Sequence, residues 1–200
     1  YISTRFGNGP GLSASTRMLA EQAKAAGAQA IAVIEARGFV FGAAVAVQLG
    51  LGFVPVRKPG KLPVPVLALD YALEYGTDTL EIDPTAISTG QRVVLIDDLI
   101  ATGGTALAAA QLLRQAGAAV DHALFVIDLP DLGGAEKLRA AGVAAEALVD
   151  FAGHYAPATA PAIRAEKSQL LTRAGAMRIA TSLLALARSD AASLLCGAMP

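Results

Sequence analysis

Cysteine is nearly absent. Cys196 is the only one in 200 residues, which excludes an intramolecular disulfide framework and, with no Cys/His cluster beside it, a thiolate zinc site. A reducing cytoplasm fits that usage and is the expected location. Net charge is scarce as well: 16 Lys and Arg stand against 17 Asp and Glu, a formal −1. No bulk field therefore draws nucleic acid or an anionic membrane, and an anionic ligand has to be held by local clusters of basic side chains. Long apolar runs are missing too. The most apolar late stretch, residues 177–187, is interrupted by Arg178 and bounded by Arg188, short of the roughly 18 apolar residues of a membrane span. The first residues carry no apolar segment of the secretory kind. The two histidines, His122 and His154, have no partner spacing for a metal or a catalytic triad. What is present, 54% hydrophobic and 16% charged residues, is the profile of a globular chain with room for one α/β core.

Along the chain, Gly7-Asn8-Gly9-Pro10-Gly11 is a breaker cluster read as a turn. Ser13 is then the expected N-cap of a helix to about residue 26, stopped by Gly27. Residues 30–34 form an apolar run of strand length, followed at once by Gly38 and a helical stretch ending near Gly50 and Gly52. Phe53-Val54-Pro55-Val56 reads as the next strand and delivers Arg57, Lys58 and Lys61 into a loop broken by Pro59, Gly60 and Pro63. Two shorter strand-like stretches, 68–73 and 79–82, flank Glu74-Tyr75-Gly76. The continuous apolar run over 91–96 is that of a parallel strand covered on both faces, and it leads into Asp97-Asp98 at its end. An Ala/Leu helix to about residue 116 and strands over 120–127 and 144–149 complete an alternation that predicts a doubly wound, mainly parallel sheet. Sites in such sheets lie outside the carboxyl ends of the strands.

The densest chemistry lies in Val93-Val94-Leu95-Ile96-Asp97-Asp98-Leu99-Ile100-Ala101-Thr102-Gly103-Gly104-Thr105. The glycines let backbone N–H groups approach a phosphate, a helix start supplies partial positive charge, and the threonine hydroxyls add donors. Asp97 and Asp98 suit sugar hydroxyls or a hydrated magnesium ion, because carboxylates accept from O–H groups and bind hard cations. A sugar phosphate satisfies both halves. The loop has neither the Gly-Lys-Ser/Thr ending of a P-loop nor a dinucleotide fingerprint, and Gly7-x-Gly9-x-Gly11 follows no strand.

This stretch resembles the signature for 5-phosphoribosyl pyrophosphate (PRPP) of the type I phosphoribosyltransferases. Further segments narrow the likeness to adenine phosphoribosyltransferases: Glu35-Ala36-Arg37-Gly38-Phe39, Arg57-Lys58-Pro59-Gly60-Lys61-Leu62-Pro63, Leu73-Glu74-Tyr75-Gly76 and, in the bacterial manner, Ile127-Asp128-Leu129-Pro130-Asp131-Leu132-Gly133-Gly134. The resemblance spans roughly residues 4–153. It implies a Rossmann-like fold with a mainly parallel sheet flanked by helices, and transfer of the phosphoribosyl group of PRPP to adenine with loss of pyrophosphate. It also implies magnesium as cofactor and a homodimer. By the same resemblance PRPP is held by Arg37, Arg57, Lys58, Lys61, Asp97, Asp98, Ala101, Thr102, Gly103, Gly104 and Thr105. Magnesium arrives with PRPP near Asp97 and Asp98, without dedicated protein ligands. Glu74 is the acid–base residue with Tyr75 beside it in a closing loop, Leu129 lies beneath the base, and the peptide bond before Arg37 is cis.

Two departures are expected. The family carries, before the segment matching Ile2-Ser3-Thr4, an aromatic and an arginine that cover adenine. The present chain opens at Tyr1, so this hood is expected to be largely missing. Residues 1–153 are expected to form the phosphoribosyltransferase domain and 154–200 an atypical, Ala/Leu-rich helical tail. Three alternatives stay open: a transferase for another purine, a PRPP-binding regulator, and an inactive fragment.

Overall fold

The computed structural model describes residues 7–73 and 76–152. The chain alternates α1 (Gly9–Ala25), β1 (Ala30–Ile34), α2 (Gly38–Leu49), β2 (Gly52–Val56), β3 (Leu67–Ala72), β4 (Thr77–Ile82), β5 (Arg92–Ile100), α3 (Gly104–Gln115), β6 (Ala119–Asp128), α4 (Gly134–Ala140) and β7 (Ala144–Asp150). Five strands form one sheet in the order β2-β1-β5-β6-β7, every pairing parallel. Strands β3 and β4 make a separate antiparallel hairpin. Among the described residues no helix is long and apolar enough to cross a membrane.

Strand β1 shows why the sheet is buried on both sides. All five of its residues are buried, and successive side chains enter opposite faces. Ala30, Ala32 and Ile34 join a cluster with Leu112 and Leu113 of α3, Leu138 of α4 and Leu80 and Ile82 of the hairpin. Ile31 and Val33 join Leu19 of α1 and Phe41 and Val45 of α2. A strand with helices on both faces has no polar side to display, so its sequence reads as a continuous apolar run.

The first helix begins earlier than the sequence predicted. Asn8, not Ser13, is the N-cap. Its side chain accepts from the Gly11 N–H at 3.3 Å, and Pro10 sits in the first turn, where a missing N–H costs nothing. The cluster read as a turn is thus a helix start. Strand β5 likewise runs on through Asp97 and Asp98 to Ile100, because β6 keeps pairing with it: Asp97 lies opposite Phe125, and Ile100 opposite Asp128. The two acids are inside the strand, not beyond its end.

Connection order decides where a site can form. From β1 the chain goes outward to β2, whereas from β5 it proceeds the other way to β6 and β7. The segments leaving β1 and β5 therefore diverge, and a crevice opens between them at the carboxyl end of the sheet.

Candidate functional site

A cleft of about 310 Å³ occupies that crevice. One wall is Ile34 to Arg37, leaving β1; the other is Asp97 to Ala106, the end of β5 and the start of α3; Lys58 closes a third side. Of the residues singled out from sequence, the structure brings together here Arg37, Lys58, Asp97, Asp98, Ala101, Thr102, Gly103, Gly104 and Thr105. Arg57, Lys61 and Leu129 do not line it. Glu74 and Tyr75, Tyr1 and the tail from 154 lie outside the described residues.

The phosphate-loop half is built by close approach of backbone. Gly103 has φ +73°, the left-handed region that glycine enters freely. A Cβ there would stand 2.7 Å from the Gly134 carbonyl oxygen, and a Cβ on Gly134 only 2.2 Å from that of Ala101. The start of α4 is therefore pressed against the loop that opens α3. No side-chain cap bond forms at the start of α3, and Gly103 to Ala106 there line the cleft, an arrangement suited to an anion.

On the facing wall, Arg37 Nε donates to Asp98 Oδ2 at 2.5 Å. Asp98 is only 3% exposed, while the Arg37 side chain is 61% exposed, so the guanidinium is anchored at one edge and open to a ligand at the others. The Asp98 hydrogen bond raises the Arg37 pKa further. Asp97 Oδ1 accepts from the Asp98 backbone N–H at 2.8 Å. Burial first, and then the neighbouring Asp98 charge, push the Asp97 carboxyl well above the usual carboxylate range. Gly38 completes this corner, since a Cβ on it would lie 2.6 Å from Asp97 Oδ1. A cis peptide bond is present, at Glu35–Ala36 rather than Ala36–Arg37. Arg37 already has helical angles, φ −72° and ψ −32°, as the residue leading into α2.

The basic loop divides its cations. Lys58 Nζ is ion-paired with Asp78 Oδ2 and donates to the Tyr71 hydroxyl at 3.1 Å. Burial alone would lower the Lys58 pKa; Asp78 and Tyr71 outweigh it and raise it. Arg57 Nε donates to Glu35 Oε2, and its guanidinium carbon sits 5.5 Å from the centre of the Phe39 ring. The Arg57 backbone bridges β4 through two hydrogen bonds with Glu81. Lys61 is exposed yet close enough to help lower the Glu35 pKa, where burial acts the other way and the Arg57 hydrogen bond is the largest lowering influence.

Leu129 follows β6, half-buried, its N–H bonded to the Ile100 carbonyl at 3.0 Å. Beside it, Asp128 is 7% exposed, and its Oδ1 has no hydrogen-bond partner among the described residues. Burial, then Asp150 and Glu136, raise its pKa. Sequence reasoning gave no role to Glu35, Gly38, Tyr71, Asp78 and Gly134, although Glu35, Gly38 and Gly134 stand in the segments that carried the resemblance. Each matters through a neighbour distant in sequence, and no local pattern carries that information.

Comparison with known proteins identifies the family and relatives that this chain resembles. A phosphoribosyl transferase domain model matches residues 8–137. The adenine phosphoribosyltransferase of Novosphingobium aromaticivorans is 71% identical over 153 residues, covering 76% of this chain and 86% of that protein. Among solved structures, adenine phosphoribosyltransferase from Thermoanaerobacter pseudethanolicus superposes with a TM-score of 0.71 at 47% identity, over 75% of this chain and 86% of that one. The Saccharomyces cerevisiae adenine phosphoribosyltransferase, solved with an imino-altritol bisphosphate and adenine, superposes with a TM-score of 0.67 at 38% identity, over 72% and 83%.

Proposed function

The chain belongs to the adenine phosphoribosyltransferases, within the phosphoribosyl transferase domain family, and from that premise we propose that it transfers the phosphoribosyl group of PRPP to adenine, giving AMP and pyrophosphate. The observation that carries the proposal is the cleft between β1 and β5, where an uncapped helix start and the two cationic side chains of Arg37 and Lys58 stand beside the carboxylates of Glu35, Asp97 and Asp98. A sugar bearing phosphates needs both kinds of group.

In this reaction the bond from the ribose C1 to the pyrophosphate oxygen breaks and the purine N9 bonds to C1. Ala101 to Thr105 offer N–H and hydroxyl donors to a phosphate of PRPP. Asp97 and Asp98 accept from ribose hydroxyls. Arg37 and Lys58, with Arg57 and Lys61 of the adjoining loop, neutralise the departing pyrophosphate, where fixed cations act most strongly on charge that develops as the bond breaks. Glu74 takes the N9 proton, with Tyr75 beside it, and Leu129 packs beneath the base.

Magnesium is part of the proposal. Asp97 and Asp98 fit it: their oxygens are hard donors, and the Asp97 charge, opposed by burial and by Asp98, is relieved by a cation. In this proposal the ion is held mainly by substrate oxygens and water. When bound it supplies charge neutralisation at the pyrophosphate. A homodimer is supported by Val40 and Val47, 41% and 83% exposed. They lie seven residues apart on one side of α2 and form an apolar strip for a second copy to cover. A cytoplasmic location rests on the single cysteine.

The test is an assay of this chain for AMP formation from PRPP, magnesium and adenine, with hypoxanthine, guanine and xanthine as competitors and Glu74→Ala as control. Adenine-specific turnover lost in the variant is the expected result. Absence of turnover with every base, while PRPP still binds, would overturn the adenine assignment and leave a sugar-phosphate-binding protein.

A further inference from the structure

The parallel register of β1 and β2 sets Ile34 beside Val56, so the residues that follow, Glu35 and Arg57, come side by side as the chain leaves the sheet. The Arg57 backbone is fixed there by two hydrogen bonds with Glu81, at 2.8 and 2.9 Å. Its long side chain still has rotamers to choose among, and two groups restrict that choice. The Glu35 carboxylate accepts from Nε, and the Phe39 ring centre lies 5.5 Å from the guanidinium carbon. Phe39 is itself held, because its ring meets that of Phe53 with 5.4 Å between centres and 76° between planes, an edge-to-face contact. Glu35 and Phe39 flank Arg37 in one short segment. That segment therefore supplies Arg37 to the cleft and a seat for a second guanidinium.

The seat leaves most of the guanidinium unused. A guanidinium is a planar fork of N–H donors, and of these only Nε is bonded within the protein; Nη1 and Nη2 of Arg57 have no hydrogen-bond partner among the described residues. Arg114 shows the contrast. Its Nη1 and Nη2 donate to the carbonyls of Ala141, Val120 and Gly142, which ties the chain together and spends the fork on structure. An aromatic face attracts a guanidinium without taking up a donor or cancelling its charge, whereas a second carboxylate in place of Phe39 does both. The Arg57 side chain is 28% exposed and bonded to Glu35, which lines the cleft.

We propose that Phe39 is a positioning residue, its ring holding the Arg57 guanidinium in place with charge and terminal donors kept for the pyrophosphate group. The role rests on the reading above, in which Arg57 helps to neutralise pyrophosphate, and adds to it an apolar residue that does not line the cleft.

The experiment is calorimetric titration of the full chain and of its Phe39→Leu, Phe39→Tyr, Arg57→Ala and Phe39→Leu, Arg57→Ala double variants with pyrophosphate in the presence of magnesium, together with KM for PRPP and for adenine. Leucine keeps apolar bulk and removes the ring face; tyrosine keeps the face. Phe39→Leu is expected to weaken pyrophosphate about fivefold, the size of a cation–π contact at a partly exposed site, and to raise KM for PRPP in step while KM for adenine stays within about twofold. Phe39→Tyr should restore wild-type affinity. On the Arg57→Ala background Phe39→Leu should add less than about twofold, since the group it acts through is gone. The proposal is overturned if Phe39→Leu binds pyrophosphate as the wild type does, if tyrosine loses as much as leucine, or if the loss is equally large without Arg57, the mark of a general loosening of the fold. Unchanged affinity in Arg57→Ala overturns the reading of Arg57 and this role with it, an outcome distinct from a strong dependence on Arg57 with a silent Phe39→Leu.

Discussion

A methyl group added at Gly134 would stand 2.2 Å from the carbonyl oxygen of Ala101 and 2.8 Å from the amide nitrogen of Gly103. Non-bonded heavy atoms settle at about 3.5 Å, so the phosphate loop or α4 has to give way by about 1 Å. Helix α4 is pinned by Ala135 and Leu138, 2% and 0% exposed, which leaves the loop to move. Overpacking of this kind costs about 1–3 kcal/mol of stability. A shift of about 1 Å in groups that position a reacting substrate costs on the order of 100-fold in rate. The neighbouring Gly133 is the control. It has φ +69°, but a Cβ there meets nothing within 4 Å. Gly133→Ala therefore costs about 1–2 kcal/mol in backbone strain and leaves the loop where it is. The two variants should lose comparable stability by urea denaturation, while only Gly134→Ala should lose kcat/KM for PRPP, by about two orders of magnitude. Activity of Gly134→Ala within about threefold of wild type, or an equal loss in Gly133→Ala, would refute the claim that backbone contact between α4 and the loop sets the phosphate site.

Asp97→Asn should abolish turnover yet raise the thermal midpoint at neutral pH. Because the native fold raises the Asp97 pKa, the ionised group costs stability above that pKa, and the penalty fades as pH falls toward the ordinary carboxylate value; an advantage of the variant that persists at pH 3 would count against this. Glu35→Gln should lose about 1 kcal/mol at neutral pH and raise KM for PRPP by releasing Arg57. Since the Glu35 pKa is lowered in the fold, its stabilising contribution is present above the ordinary value and disappears as pH falls through the native one, so denaturation curves of the two proteins should converge in acid. Gly42→Ala places a Cβ 2.2 Å from a methyl of Val33, a stiff and fully buried side chain. It should cost about 1–3 kcal/mol in urea denaturation with kcat/KM unchanged.

What the sequence determined by itself is what depends on near neighbours. The unbroken apolar runs of β1 and β5 announce strands covered on both faces, because each successive side chain enters a different apolar layer. Asp97-Asp98 followed by Ala101 to Thr105 announces sugar and phosphate chemistry, because donors and acceptors within a dozen residues must share one turn. Even local reading failed where two signals competed. Gly9-Pro10-Gly11 reads as a turn until the Asn8 side chain is seen capping the helix. The strand appeared to stop at the two acids, because the continued pairing with β6 is beyond local view. Tertiary structure decided the rest. The crossing order of β1, β2 and β5 placed Arg37 against Asp98, 61 residues apart. The seat of α4 brought Gly134 onto the phosphate loop, and the hairpin carried Tyr71 to Lys58 and Thr105. Such pairs leave no trace in local periodicity, since the packing that joins them depends on where whole strands and helices come to lie.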